Sequence, residues 1–155
     1  MQELLEEMKK WLAAYIKSFY SGDREVQQAV DIKEEHTAKV TEICRELALV
    51  LGLAEKDCLL VEMMGLFHDV GRFPQFAKYK TFNDSISENH ALLGLKVLEE
   101  VPLLAELPPD DLELFKFAIA NHNAKQINTA GTKRQQLFAR ILRDADKLDI
   151  YRVLS

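Results

Sequence analysis

Helical periodicity runs through this 155-residue chain from end to end, and no stretch alternates apolar and polar residues long enough to make a strand. Leu4, Leu5, Met8, Leu12, Tyr15, Ile16 and Phe19 recur at helical spacing until Ser21 and Gly22 stop the pattern. Such a stripe suits either an interfacial membrane helix or a helix docked on its own domain. Glu3, Glu6 and Glu7 suit a membrane surface poorly, so docking is expected. A second helix is expected from about Asp31 to Leu51, with Gly52 as its C-terminal cap. A third should cover Glu55 to Asp69, with Gly71 and Pro74 opening a loop to about Asn83. Ser85 and Glu88 fit a capping box for a fourth helix ending near Val101 and Pro102. Pro108, Pro109 and Asp110 open a fifth that reaches Asn121. The last starts near Thr132 and is still helical in character at Ser155, which points to a natural chain that extends further. The expectation is an all-α single domain over residues 1–155, with residues 1–22 as a docked N-terminal helix.

Composition narrows the function classes. Hydrophobic residues at 48% and charged residues at 29% describe a globular chain able to bury a core. With 25 acidic against 20 basic side chains the net charge is -5, which gives no electrostatic reason to expect nucleic-acid binding. Cys44 and Cys58 form no CxxC pair, so both read as reduced, buried residues of a cytoplasmic protein. No apolar run approaches the roughly 20 residues of a membrane span, and the acidic start is unlike a signal peptide. No membrane association is expected.

The four histidines carry the chemistry. His36 is followed by Val40, Ile43, Leu47 and Val50 on one helical stripe, so its imidazole faces the core. Val61, Met64 and His68 share a face in the same way, as do Phe115, Ile119 and His122, and His90 lies near the start of the fourth helix. A single inward histidine is ordinarily satisfied by a neighbour. Four of them, each with polar nitrogens to satisfy, call for a shared purpose. His68 also brings Asp69, and imidazoles with carboxylates from separate helices make a natural nitrogen and oxygen ligand set for a divalent first-row metal. The last helix offers further carboxylates in "ILRDADKLDI", where Asp144, Asp146 and Asp149 lie among apolar residues. Periodicity leaves open which of them faces inward and which are solvated surface charges.

The order His36, His68-Asp69, Asp146 resembles the HD-domain superfamily of metal-dependent phosphohydrolases, and "HDVGRFPQFAKYKTFND", "SENHALLGLKVLE" and "AIANHN" look like one bacterial subgroup of it. The resemblance covers about Lys33 to Tyr151. It implies an internal site holding a divalent metal ion (Mn, Fe, Co, Ni, Zn or Mg) on His36, His68, Asp69 and Asp146. Asp146 is chosen over Asp144 because "ADKL" is similar to the family's ending. On this reading the third helix ends in adjacent metal ligands, and Gly71 lets the chain turn away. His90 and His122 fall outside the four-ligand pattern. With Asp69 they are assigned catalytic roles beside one ion, as phosphate donors or proton-transfer groups; a second metal bridged by Asp69 is the alternative that the resemblance permits.

Departures from better-known branches narrow the implied chemistry. Nothing after "NHNAKQIN" is similar to the Gly-Tyr-Pro signature of the cyclic-dinucleotide phosphodiesterases. Val70, Gly71 and Arg72 stand where the guanosine tetraphosphate hydrolases carry acids. Hydrolysis then rests on metal-activated water and cationic phosphate clamps. Arg72, Lys78, Lys80, Arg143 and Lys147 are the candidates, with Arg72, Lys78 and Lys147 assigned to substrate and Arg72 best placed by its planar fork. Phe73, Phe76, Tyr79 and Phe82 either stack on a nucleobase or, the preferred reading, pack their loop onto the helices. The expected activity is hydrolysis of a nucleotide or another small phosphorylated metabolite. Its rivals are a metal-containing nucleotide-binding regulatory module without turnover, and a lyase or oxygenase. A homodimer is compatible with the sequence.

Overall fold

The computed structural model describes the backbone of residues 1–154 and the side chains of residues 1–150, and the described residues contain helices and no strands. Seven α-helices follow one another: α1 (Gln2–Lys17), α2 (Arg24–Val50), α3 (Glu55–Phe67), α4 (Arg72–Tyr79), α5 (His90–Leu98), α6 (Pro109–Asn121) and α7 (Lys133–Leu154). Single 3-10 turns occupy Asp84–Ile86 and Pro102–Glu106. The expected end of the last helix at Ser155 lies outside the described residues.

α3 is the centre. Every residue from Cys58 to Phe67 is buried, as expected of a helix that is apolar nearly all round. α2 packs along one side of it, α7 closes over α2, α3 and α6, and α1 covers a further face. Leu4, Leu5, Met8, Leu12 and Ile16 of α1 are buried, and Trp11 lies 6.1 Å from the Phe67 ring, so this helix docks on the core as its stripe implies.

The crossing of α2 and α3 sets the site. A Cβ at Gly65 would stand 3.0 Å from Cys44 Sγ and 3.1 Å from Thr41 Cα, so the two backbones meet there with no room for a side chain. Close contact at that level brings His36, one turn before Val40, beside His68, one turn after Gly65. Their ring centroids are 5.2 Å apart.

Several boundaries differ from those expected, and α3 ends at Phe67 rather than Asp69, with His68 as its C-cap, while α5 ends at Leu98 rather than near Val101. α2 starts at Arg24 rather than Asp31, because Asp23 caps it by accepting from the Val26 amide. The expected loop from Gly71 to Asn83 contains α4, in which Pro74 is third and so sits in the first turn, where its missing N–H costs no helical bond. α5 is capped by Asn89, which accepts from the Ala91 and Leu92 amides, rather than by a Ser85–Glu88 box. Ser85 belongs to the 3-10 turn that carries Asp84. Gly71 also differs in its reason. Its φ of -69° is open to any residue, but a Cβ there would lie 2.3 Å from the His90 carbonyl oxygen and 2.5 Å from the Gly94 nitrogen. Glycine is required for the close approach of α5, not for a turn.

Candidate metal centre

Five helices deliver six side chains to one buried point. His36 comes from α2, His68 and Asp69 from the end of α3, His90 from the first position of α5, His122 from the end of α6, and Asp146 from α7. Donor atoms of His36, His68, Asp69 and Asp146 all lie within 4.8 Å of one another, and so do those of Asp69, His90 and His122. Asp69 belongs to both groups. Its Oδ2 faces His36 Nε2 at 3.4 Å and His68 Nε2 at 3.5 Å. Its Oδ1 faces His90 Nε2 at 3.3 Å and His122 Nε2 at 3.5 Å. Asp146 Oδ1 completes the first group, 2.8 Å from His36 Nε2 and 3.3 Å from His68 Nε2. Asp144, the alternative carboxylate, is exposed.

The outer nitrogen of every ring is tied to an acceptor. His36 Nδ1 donates to Asp149 Oδ2 at 2.6 Å and His90 Nδ1 to Asp84 Oδ2 at 2.8 Å. His68 Nδ1 donates to the Gly65 carbonyl at 2.7 Å and His122 Nδ1 to the Ile119 carbonyl at 2.6 Å. Carbonyls and carboxylates only accept, so each Nδ1 carries a hydrogen and each ring turns its Nε2 inward, where it either presents a lone pair or carries a proton toward a carboxylate. His36 Nε2 meets His68 Nε2 at 3.3 Å, and His90 Nε2 meets His122 Nε2 at 3.1 Å. With the oxygens of Asp69 and Asp146, the four Nε2 atoms form a cluster that either protons on the rings or metal cations can satisfy. That donor set fits divalent metal ions, and the anchored rings are what a metal site requires of its surroundings.

Protons hold the centre together when metal is lacking. Burial alone would lower the His68 pKa, but Asp69, Asp146 and the Gly65 carbonyl push it up to about 9. Burial opposes ionisation of Asp69 too, yet the His68 charge, bonds from His122 and His90, and Lys33 hold its carboxyl well below the usual range. Asp146 is likewise depressed despite its burial, by bonds from His36 and His68. The His122 pKa is lowered, mainly through burial.

The outer residues divide. Arg72 Nη1 donates to Asp84 Oδ1 at 2.9 Å, to Gln75 Oε1 at 2.8 Å and to the Phe82 carbonyl at 2.7 Å, while its Nε is buried without a hydrogen-bond partner. Asp84 thus links Arg72 to His90, and its carboxyl is drawn down to about 2, chiefly by bonds from His90 and Gln75 that outweigh burial. Lys78 is exposed with its Nζ 5.1 Å from the Tyr79 ring centroid, and Lys147 is exposed on α7. Phe73 is buried and Phe76 packs on Phe82 at 4.8 Å, so these rings pack α4 and the chain after it. Three residues without an assigned role in the sequence reading enter the site: Asp149, Asp84 and Lys33, whose Nζ lies 4.0 Å from Asp69 Oδ2. Asp149 follows Asp146 by one turn, the only sequence signal among the three.

A family model described as HD domain matches residues 34–151, a span that contains all six inward residues and leaves out α1. Comparison with curated proteins and with solved structures found no match.

Proposed function

The chain belongs to the HD domain family, and from that premise we propose that it is a metal-dependent phosphohydrolase acting on a nucleotide or another small phosphorylated metabolite. The observation that carries the proposal is the convergence of four histidine Nε2 atoms on the two oxygens of Asp69. We assign one ion to His36, His68, Asp69 and Asp146, and a second to Asp69, His90 and His122. A second ion is favoured over phosphate-donor roles for His90 and His122 because the Nδ1 of each ring is tied outward, to Asp84 and to the Ile119 carbonyl, which leaves Nε2 facing Asp69. Divalent ions in those groups supply Lewis acidity at a phosphoryl oxygen and lower the pKa of water toward neutrality.

The chain's own residues do the rest. Asp69 fixes the spacing of the two groups and orients water between them. Lys33, four-fifths buried and beside Asp69, places positive charge where negative charge builds up on the phosphoryl oxygens. Arg72 offers its unpartnered Nε to the phosphate while Nη1 braces Asp84. Lys78 and Lys147, being exposed, are assigned to the outer part of the substrate.

The test is metal counting on protein purified without added metal, followed by a phosphate-ester panel with manganese, cobalt, nickel and magnesium. Two equivalents and metal-dependent phosphate release, both reduced in Asp69→Asn, are expected. A chain that binds metal yet releases phosphate from no ester or anhydride would instead be a metal-containing binding module.

A further inference from the structure

A polar cavity of about 220 Å³ opens between the segment after α6 and α7. Lys125, Arg140 and Arg143 line it together with Gln126, Thr129 and Gln136, and no carboxylate does. In a chain with 25 acidic and 20 basic residues that is a local reversal of sign. Arg140 and Arg143 stand one turn apart on α7, a like-charge spacing that weakens a helix. Among the described residues neither forms an ion pair, and the Arg143 Nε is buried with no hydrogen-bond partner. A buried guanidinium N–H without an acceptor is costly unless a ligand supplies one. The wall is built rather than frayed, since Gln136 Nε2 donates to the Thr129 and Gly131 carbonyls and ties the segment to the helix.

Both walls of the cavity lie close in sequence to residues of the metal centre. Lys125 follows His122 by three residues, and Arg143 precedes Asp146 by one turn, which is about 4.5 Å along a helix axis. We propose that this cavity is an anion subsite, which takes a second phosphoryl or carboxylate group of a substrate whose scissile phosphate lies at the metal centre. The preferred substrate then carries two anionic groups, one on each side of the α7 turn between Arg143 and Asp146. Arg143 and Arg140 bind the second group by charge-assisted hydrogen bonds and Lys125 as a point charge. The anion site stands on its own geometry; its service to a substrate rests on the phosphohydrolase reading.

Two measurements on the full chain loaded with zinc separate these claims. In the first, inorganic sulfate is titrated as a stand-in for a phosphoryl group, and nuclear magnetic resonance follows the Arg143 Nε–Hε signal and the amides of Lys125 and Gln126. Saturable shifts are expected at these positions. Arg143→Gln should weaken the amide response about tenfold, as should Arg140→Gln at an exposed position that cannot compromise folding. Sulfate shifts confined to residues of the metal centre overturn the anion site. In the second, kcat/KM is compared for adenosine 3′,5′-bisphosphate and phenyl phosphate. Arg143→Gln should lower the bisphosphate value about tenfold more than the phenyl phosphate value, with Arg143→Lys recovering part of the loss. An unchanged ratio overturns the substrate assignment. If neither ester turns over, the substrate assignment is overturned, the phosphohydrolase reading is decided by the ester and anhydride panel, and the sulfate titration still decides the site.

Discussion

Each imidazole at the centre is steered by what holds its outer nitrogen, and the four holders are of two kinds. His68 and His122 use a carbonyl three residues back in their own helices, so their direction is set locally. His36 and His90 depend on Asp149 and Asp84, which can be removed. Asp149→Ala should weaken metal binding in the group of His36, and Asp84→Ala in the group of His90, each by about 10–100-fold. Competition against a fluorescent chelator measures both, and equal affinity in either variant would remove that carboxylate from the support of the centre. The inward histidines and Asp69 were legible as an ordered set on helical faces. Asp149 and Asp84 were not, because their partners are set by how α7 meets α2 and how the turn after α4 meets α5. A pH dependence belongs at this scale too. In the metal-free chain His68 titrates at about 9 against an ordinary 6.5, so its contribution to stability is complete below about pH 6.5 and lost as pH rises through 9. Thermal melts of chelator-treated protein should therefore fall between pH 7 and 9.5, and fall less in His68→Gln. Identical slopes would show that His68 carries no such proton.

Helices reach this arrangement through two close approaches. At Gly65 the α2 and α3 backbones touch, and at Gly71 the chain leaving α3 touches the first turn of α5. The second contact is the tighter, because the atoms facing Gly71 are the His90 carbonyl oxygen and the Gly94 nitrogen, neither of which can move without the helix. Gly71→Ala should destabilise the protein by about 1–3 kcal/mol as an overpacked backbone contact. It should also draw His90 from Asp69, lowering metal stoichiometry from two toward one while His36, His68 and Asp146 keep theirs. Denaturant melts and metal counting check this, and two ions held at wild-type affinity would mean that α5 is not positioned through Gly71. The sequence showed most helices, since long apolar stripes are strong signals, but it missed α4. Gly71 and Pro74 resemble loop punctuation, whereas one serves packing and the other a first helical turn. The capping pattern at Ser85 and Glu88 competed with Asn89 next to it, and tertiary contact decided between them.

Across the whole molecule, the centre joins helices that are otherwise held by apolar packing and by ion pairs near the surface, such as Lys56–Asp111 and Arg134–Asp57. The two ligand groups span α2, α3, α5, α6 and α7, so removing metal releases a cross-link between most of the fold and leaves a cluster of facing lone pairs and carboxylates. No residue of α1 belongs to either group; α1 contributes burial and the pairing of Lys9 with Glu62 of α3. Truncation there, as in Leu12→Ala, should cost about 2–5 kcal/mol and leave two ions bound at saturation, which separates loss of core from loss of site. Chelation should do the reverse. An ion that binds only the folded chain stabilises it by about 2.7 kcal/mol at a hundredfold excess over Kd. For a domain of this length 1 kcal/mol corresponds to about 2–4 °C in Tm, so each ion should raise Tm by roughly 5–10 °C. Asp69 serves both groups, and Asp69→Asn should therefore abolish most of the rise, whereas His122→Ala should retain the part due to the first ion. Scanning calorimetry across a metal titration reads all three proteins. A wild-type Tm that does not respond to metal would mean that these helices are brought together by packing alone, and that the lone pairs facing Asp69 are met by protons rather than by ions.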